Sequence, residues 1–350
     1  MLALTAAQAA YAAKPSVVGK IPGSAFVLKA DPSSSWVACW SAQADGKFKL
    51  MAVNGDNGDK LEVTTVDRPG GLCWIPGRGK LLYCKGIYND KLKNTKVVYA
   101  VYDLAAKKAT NLIPDLIDLK ETYLLDPIAS EDGKMVFILT INTIGLPSFN
   151  IYFPEANSLT STTVSANIGS DFDLSSDGSK LYWYLHNPDN GNFNIVGWSF
   201  QDGSYSDLFE FTADRDPGDD HALFKLDSPR SWAATMVTNE SDPTLQLCVY
   251  DFHDPQNLGI IPVRLPAGED VMYFDWKGRS GTLYALCKNS KTGEYSIHEL
   301  EPLEGTRTEL LRGKEEITLV DYSPKAQCYF YSLVDDRNAK KPTTSLVRLK

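Results

Sequence analysis

A short acidic segment between positions 214 and 221 has the residue types that bind metal ions. Four aspartates and a histidine fall within these eight residues, and carboxylate oxygens are the ligands that calcium prefers. The spacing departs from the familiar calcium-binding loop because Gly218 stands where a ligand is expected. Asp-Pro-Gly-Asp is also common turn chemistry, so a solvated turn capped by its own aspartates is the alternative. The candidate ligand-binding residues are Asp214, Asp216, Asp219, Asp220 and His221, of which Asp214, Asp216 and Asp219 would hold a calcium ion; no other cofactor is expected.

Familiar catalytic motifs are missing from the sequence. The chain has only four histidines, so the usual general base is scarce. We expect His253, at a strand end, and His298, within an alternating run, to be surface residues of strands. No Gly-x-Ser-x-Gly elbow, His-Glu-x-x-His pair or phosphate-binding loop occurs. The sequence therefore contains no motif that assigns an activity.

The elements that would position these residues follow one repeated plan. Seven stretches combine an apolar run, a Gly/Ser/Pro/Asp turn and three more short β-rich runs, at a spacing of roughly 46 to 54 residues. In the fourth stretch, a strand–turn–strand sequence over residues 172–183 precedes strands predicted at 193–200 and 205–211. A period of this length built only from strands predicts an all-β fold, a seven-bladed β-propeller of four-stranded antiparallel blades.

Two of the first hairpins carry a recognisable motif. Residues 129–135 read Ala-Ser-Glu-Asp-Gly-Lys-Met, and residues 174–181 read Leu-Ser-Ser-Asp-Gly-Ser-Lys-Leu. Both resemble the apolar-Ser-Pro-Asp-Gly-Lys-apolar hairpin of TolB-type, WD-repeat-like propellers. Several other units depart from this motif, and the Trp-Asp dipeptide of WD repeats is absent. The resemblance covers most of the chain from about Pro15, and it implies a toroid with a central channel rather than an activity.

The two ends of the chain predict how the propeller closes. The last unit offers three strands, and Ser16–Ile21 is a spare strand ahead of the first full unit. Pairing the spare strand with the last unit would leave no open sheet edge. We therefore expect one propeller domain over residues 15–350, with the last blade closed by the N-terminal strand. Residues 1–14 are Ala-rich and contain a small-x-small cleavage pattern, so they fit the remnant of a signal peptide or an N-terminal tail.

Composition limits the classes of partner and the compartment. The net charge of −9 argues against nucleic acid, because phosphate binding needs a basic stripe. No run approaches the roughly 18 apolar residues of a transmembrane helix. The six cysteines form no Cys-x-x-Cys pair and predict structural thiols, with one disulfide as the alternative in an exported protein. The signal-like start favours a periplasmic or extracellular location, or a cytoplasmic one if it is not a signal.

The predicted propeller would bring further polar residues to its channel. Strand one of each blade lines the channel, and five aspartates recur there: Asp126, Asp171, Asp173, Asp275 and Asp321. Paired carboxylates with separated pKa values could do acid/base chemistry on a sugar. In the alternative, they accept hydrogen bonds from backbone N–H groups of neighbouring blades. His186 should emerge on the same face as the acidic segment, with Asp189 three residues further on, so both are candidate ligand- or partner-binding residues.

Two functions from different classes fit these features. The favoured one is a non-enzymatic binding or scaffold propeller that holds a protein partner on its loop-rich face. The second is a metal- or carboxylate-dependent enzyme that acts on a glycan or a lactone at the channel mouth. The enzyme would need a cation near the acidic segment, or catalytic carboxylates among the inner aspartates.

A calcium titration of the chelator-treated protein tests the acidic segment. A bound ion should release or absorb heat and raise the melting temperature, because a ligand that binds the folded state stabilises it. The double substitution Asp216→Asn and Asp219→Asn should abolish both signals and leave the fold intact. Absence of heat and of a shift would leave the segment as a solvated turn.

Overall fold

The chain folds into seven four-stranded antiparallel sheets, which form a seven-bladed β-propeller as the repeat predicts. The structure, a computed structural model, describes residues 14–89, 94–112, 127–141, 147–163, 172–175, 177–186, 193–211, 224–237, 241–253, 259–335 and 342–350. Within these ranges the one helical element is a 3₁₀ turn over Ser228–Arg230. No helix in the described part of the chain is long and apolar enough to cross a membrane.

Each blade is built from strands that follow one another in the chain, apart from the last. The first strand, β1 (Ser16–Pro22), belongs to blade 7. Blade 1 contains β2 (Ser24–Ala30), β3 (Trp36–Ala42), β4 (Phe48–Asn54) and β5 (Lys60–Val66). Blade 2 contains β6 (Arg68–Ile75), β7 (Lys80–Asn89), β8 (Asn94–Asp103) and β9 (Lys108–Asn111), and blade 3 contains β10 (Ile128–Ala129), β11 (Val136–Ile141), β12 (Pro147–Phe153) and β13 (Ser158–Thr163). Blade 4 contains β14 (Phe172–Leu174), β15 (Lys180–His186), β16 (Phe193–Ser199) and β17 (Tyr205–Phe211).

The remaining blades follow the same order. Blade 5 contains β18 (Phe224–Asp227), β19 (Trp232–Met236), β20 (Leu245–Asp251) and β21 (Gly259–Arg264). Blade 6 contains β22 (Glu269–Trp276), β23 (Leu283–Asn289), β24 (Tyr295–Glu301) and β25 (Thr306–Gly313). Blade 7 contains β26 (Ile317–Ser323), β27 (Cys328–Val334), β28 (Thr343–Leu349) and β1. First strands of neighbouring blades contact one another, as β2 does with β26 and β6, so the first strands surround the axis.

The first hairpin of every blade has the same length. Its two strands meet through residues five positions apart in all seven blades, from Asp31 and Trp36 in blade 1 to Ser323 and Cys328 in blade 7. In blade 3 a hydrogen bond within the turn helps to fix this spacing, because the Ser130 hydroxyl donates to Asp132 at 2.8 Å. Gly133 in that turn has φ of +63°, and a Cβ there would lie 2.1 Å from the carbonyl oxygen of Pro76. Only glycine fits this close approach between blades 2 and 3.

The N-terminal strand closes the ring as predicted. Strand β1 pairs antiparallel with β28, in a register that opposes Ser16 to Arg348 and Pro22 to Thr343. The hydroxyl of Thr344 donates to the carbonyl of Gly23 at 2.8 Å and accepts from the N–H of Ala25 at 3.0 Å. This pairing satisfies an edge that would otherwise be open to other chains.

Apolar side chains fill the space between blades, and tryptophan indoles donate hydrogen bonds to the backbone of neighbouring blades. The Trp40 indole of blade 1 donates to the Gly70 carbonyl of blade 2 at 2.9 Å. In the reverse direction, Trp74 of blade 2 donates to the Lys29 carbonyl of blade 1 at 2.8 Å. All six cysteines are free thiols, and Cys73 alone among them is not buried. The other five thiols are buried, as the prediction of structural thiols requires.

Replacing Ile21 by alanine should destabilise the closure. The Ile21 side chain is 1% exposed and packs against blades 1 and 7, so its loss should cost about 2–5 kcal/mol of the free energy of unfolding. The control is Val17→Ala in the same strand, because Val17 is 61% exposed. Urea denaturation of both variants measures the difference, and equal midpoints would show that β1 does not hold the ring.

Candidate functional site

One side chain from each blade occupies the same position at the channel, two residues before the residue that closes the first hairpin. All seven side chains are half-buried. We call this set the channel ring; from blade 1 to blade 7 it consists of Lys29, Cys73, Ile128, Asp173, Lys225, Asp275 and Asp321. Five consecutive blades, from 4 through 7 to 1, contribute carboxyl or ammonium groups, whereas blade 2 contributes a thiol and blade 3 an aliphatic side chain.

Asp275 is held by groups from two blades. Its Oδ2 lies 3.4 Å from the Lys225 ammonium and accepts a hydrogen bond from the Tyr273 hydroxyl at 2.9 Å. Its Oδ1 accepts from the backbone N–H of Trp276 at 2.8 Å. The Lys225 ammonium also lies 5.7 Å from the centre of the Tyr273 ring, which adds a cation–π contact. The carboxylate, the ammonium and the phenol therefore form one fixed group on the channel wall.

Asp321 links blades 6, 7 and 1. It accepts from the N–H of Ala30 in blade 1 at 2.7 Å, as the backbone-bonding alternative predicts, and from the Tyr284 hydroxyl of blade 6 at 3.1 Å. Burial raises the pKa of the Asp321 carboxyl to about 6, and the charge of Asp275 adds to this, although Lys29 and two backbone N–H groups oppose it. Both carboxylate oxygens are thus engaged in holding neighbouring blades.

Asp173 has a less crowded environment. Its Oδ1 accepts from the N–H of Leu174 at 2.7 Å, and Oδ2 is not used in any hydrogen bond found among the described residues. Burial raises the pKa of the Asp173 carboxyl to about 7, and the negative charge of Asp275 contributes, while the Leu174 N–H and the Lys225 ammonium lower it. Asp173 can therefore hold a proton near neutral pH, and Oδ2 can present it to a ligand.

The two lysines of the ring have fixed backbones. The backbone carbonyl of Lys225 accepts a hydrogen bond from the Trp276 indole N–H at 2.9 Å. The backbone carbonyl of Lys29 accepts one from the Trp74 indole N–H in the same way. Both tryptophans directly follow a ring position in the next blade. Interblade packing therefore sets where each ammonium group enters the channel.

The other predicted site residues divide between described and undescribed parts of the chain. His253 is exposed, as predicted. His186 is the last residue of β15, but its side chain lies outside the described residues. The remaining candidates also lie outside them; these are Asp126, Asp171, Asp189, Asp214, Asp216, Asp219, Asp220 and His221.

The prediction for His298 is wrong, because its side chain is buried with 0% exposure. Its Nε2 lies 2.7 Å from Glu269 Oε2 and 2.9 Å from the Ser296 hydroxyl. Burial lowers the pKa of His298, although the Glu269 carboxylate opposes this. The alternation of polar and apolar residues in β24 misled the prediction, because both faces of a propeller blade pack against neighbours.

Glu269 connects this buried histidine to the surface through Arg312. Burial alone would raise the pKa of Glu269, but hydrogen bonds from Arg312, Ser296 and His298 outweigh it and hold the pKa below its ordinary value. Cys287 is buried nearby, and ligand atoms of Glu269, Cys287 and His298 lie within 4.8 Å of one another, which is a ligand set for a metal ion. Arg312 already neutralises Glu269, so we assign the cluster as an ion-pair network inside blade 6.

No family model matches the sequence, and no curated protein matches it. Similar solved structures include the β-propeller domain of the trilobed protease from Pyrococcus furiosus, at a TM-score of 0.60 and 13% identity, over 92% of this chain and 95% of that one. An acylaminoacyl peptidase from Pyrococcus horikoshii has a TM-score of 0.56 and 11% identity over 89% of this chain, which spans 49% of that protein. An oligogalacturonate lyase in complex with manganese has a TM-score of 0.54 and 11% identity, over 95% of this chain and 97% of that one.

These similarities correct the favoured sequence-based function. A non-enzymatic scaffold was expected, but the three similar chains named above are two enzymes and a domain of a third. At such low identity they share the fold alone, and none of their substrates is thereby assigned to this protein. Of the two sequence-based hypotheses, the enzyme is the better supported.

Replacing Glu269 by alanine should strongly destabilise blade 6. The change removes the carboxylate that the buried Ser296 hydroxyl and His298 Nε2 both contact and breaks the buried pair with Arg312, which should cost about 3–5 kcal/mol of the free energy of unfolding. The matched control is Glu309→Ala, since Glu309 also pairs with Arg312 at 2.7 Å but is 43% exposed; it should cost less than about 1 kcal/mol. Urea denaturation compares them, and a loss of similar size in both would refute the buried network.

Proposed function

We propose that this protein is an enzyme that uses carboxyl groups of the channel ring for acid/base chemistry on a glycan. One observation carries the proposal: five consecutive blades place three aspartates and two lysines at one level of the channel. Glycan cleavage needs a carboxyl group that keeps its proton beside one that stays charged. The ring supplies carboxyl groups in different environments.

Asp173 is the general acid in this proposal. A group whose pKa is about 7 can both hold and release a proton at neutral pH, which is the condition for efficient acid catalysis. Its Oδ2, which no hydrogen bond within the described ranges uses, is the oxygen from which the proton would pass to the leaving-group oxygen. The neighbouring Lys225 ammonium would favour the Asp173 anion that forms when this proton is transferred.

Asp275 is the charged partner. Its ion pair with Lys225 and its bond from Tyr273 fix the carboxylate in place, where it would activate water or stabilise positive charge on the sugar. Asp321 uses its oxygens to hold blades 6, 7 and 1, so we assign it a positioning role. The same pair of groups could open a lactone, the second substrate class that the sequence suggested.

The ring chemistry proposed here needs no metal ion. Among the described residues, the one group of three metal-ligating side chains is the cluster of Glu269, Cys287 and His298 in blade 6, not the ring. A calcium ion at the acidic segment 214–221 would be a separate feature.

Substitution of Asp173 by asparagine should abolish activity. A screen of neutral and acidic polysaccharides, nitrophenyl glycosides and δ-lactones identifies a substrate. With that substrate, loss of the general acid should lower the kcat of the enzyme by roughly 10²–10⁴-fold. Wild-type activity should fall as the pH rises through about 7, since Asp173 then loses its proton. The control is Asp270→Asn, an exposed position on the same strand as Asp275. A fully active Asp173 variant would overturn the assignment.

The same variant should be more stable than the wild type at high pH. The pKa of Asp173 is higher in the folded protein than its ordinary value, so ionisation favours the unfolded chain and stability falls between about pH 4 and pH 7. Asparagine removes this cost. The melting temperature should therefore rise by roughly 2–4 °C at pH 8, and by less at pH 5. Lower stability at both pH values would mean that Asp173 is structural.

A further inference from the structure

The turns of the seven first hairpins meet at one end of the channel, which we call the turn face. The turns of blades 7, 1 and 2 are bonded directly to one another. The Gly77 N–H of blade 2 donates to the Ser33 hydroxyl of blade 1 at 2.8 Å, and the Ser323 hydroxyl of blade 7 donates to the Asp31 carbonyl at 3.3 Å. These three turns therefore form one continuous hydrogen-bonded part of the rim around the axis.

An ion pair crosses this rim between Arg279 and Glu131. Arg279 belongs to the first turn of blade 6, and Glu131 belongs to the first turn of blade 3. In a ring of seven blades, blades 3 and 6 stand on opposite sides, so a contact between their first turns must pass over the end of the channel. The two side chains are 35% and 44% exposed.

The arginine is also held from its own side of the rim. Its backbone carbonyl accepts from the Arg230 guanidinium of blade 5 at 2.6 Å. Arg230 is itself paired with the buried Asp227 at 3.1 Å. The turn that projects Arg279 over the axis is thus anchored to the neighbouring blade.

We propose that the Arg279–Glu131 pair closes the turn face, so that the channel is a blind pocket and the enzyme acts on the end of a glycan chain. This inference rests on the proposed function. The channel ring lies two residues from the turns, which is about 7 Å at the strand rise of roughly 3.3 Å per residue. That depth holds about one sugar unit beyond the ring. A chain that enters at the loop-rich end would therefore be cut near its terminus and could not pass through.

The closure of the turn face can be tested without a substrate by chemical labelling of Cys73. This thiol is in the channel ring and half-buried, whereas the other five cysteines are buried, so thiol reagents report on access to the ring. The double substitution Glu131→Ala and Arg279→Ala should speed its labelling several-fold, because a second entrance opens. Negatively and positively charged methanethiosulfonates should both react faster, which separates access from electrostatic attraction.

The matched control removes another ion pair from the same face. Arg78 and Glu155 pair at 3.7 Å between blades 2 and 3, and the substitutions Arg78→Ala and Glu155→Ala should leave the labelling rate unchanged. Equal rates of Cys73 labelling in the wild type and in the Glu131/Arg279 variant would show that the turn face is not closed.

Product lengths test the second half of the inference. With the polysaccharide found in the screen, the wild type should release only the shortest products from the first time points, and the Glu131/Arg279 variant should release longer ones. Long internal fragments from the wild type would overturn action at chain ends while leaving acid/base catalysis standing. If the wild type cleaves no glycan and opens no lactone, the proposed function fails, and action at chain ends fails with it. Cys73 labelling would still decide whether the turn face is closed.

Discussion

Closure of the ring by β1 and β28 is the constraint on which the remaining structure depends. Each blade buries its two faces only against neighbours, so a gap anywhere would expose two apolar faces to water. The Thr344 hydroxyl satisfies two backbone groups at this junction. With the ring closed, seven hairpins of equal length bring seven side chains to one level of the channel. The channel ring is therefore a consequence of closure together with a constant hairpin length.

Interblade contacts also create the electrostatics of the channel. Asp173 and Asp321 have raised pKa values because the packed first strands exclude water from their carboxyl groups. Lys225 and Tyr273 come from different blades and meet on Asp275. The proposed site of Asp173, Lys225 and Asp275 thus exists only where blades 4, 5 and 6 converge, and no single blade contains it.

Two carboxyl groups serve different purposes, Glu269 in blade 6 and Asp173 in blade 4. The carboxylate of Glu269 is saturated by Arg312, Ser296 and His298, so it has no oxygen to offer a ligand and acts as a structural ion pair. Asp173, by contrast, has one carboxyl oxygen at the channel that no hydrogen bond among the described residues uses.

The sequence by itself determined the number of blades, the N-terminal closure and the presence of aspartates on inner strands, because turn residues and strand periodicity are local properties. It could not show that Lys29, Cys73 and Lys225 share the level of those aspartates, since equivalence depends on the register of each hairpin. His298 was predicted at the surface because alternation does not report burial in a sheet that is packed on both faces. Arg279 and Glu131 are distant in sequence, and only the circular arrangement of the blades makes their two turns face each other across the axis.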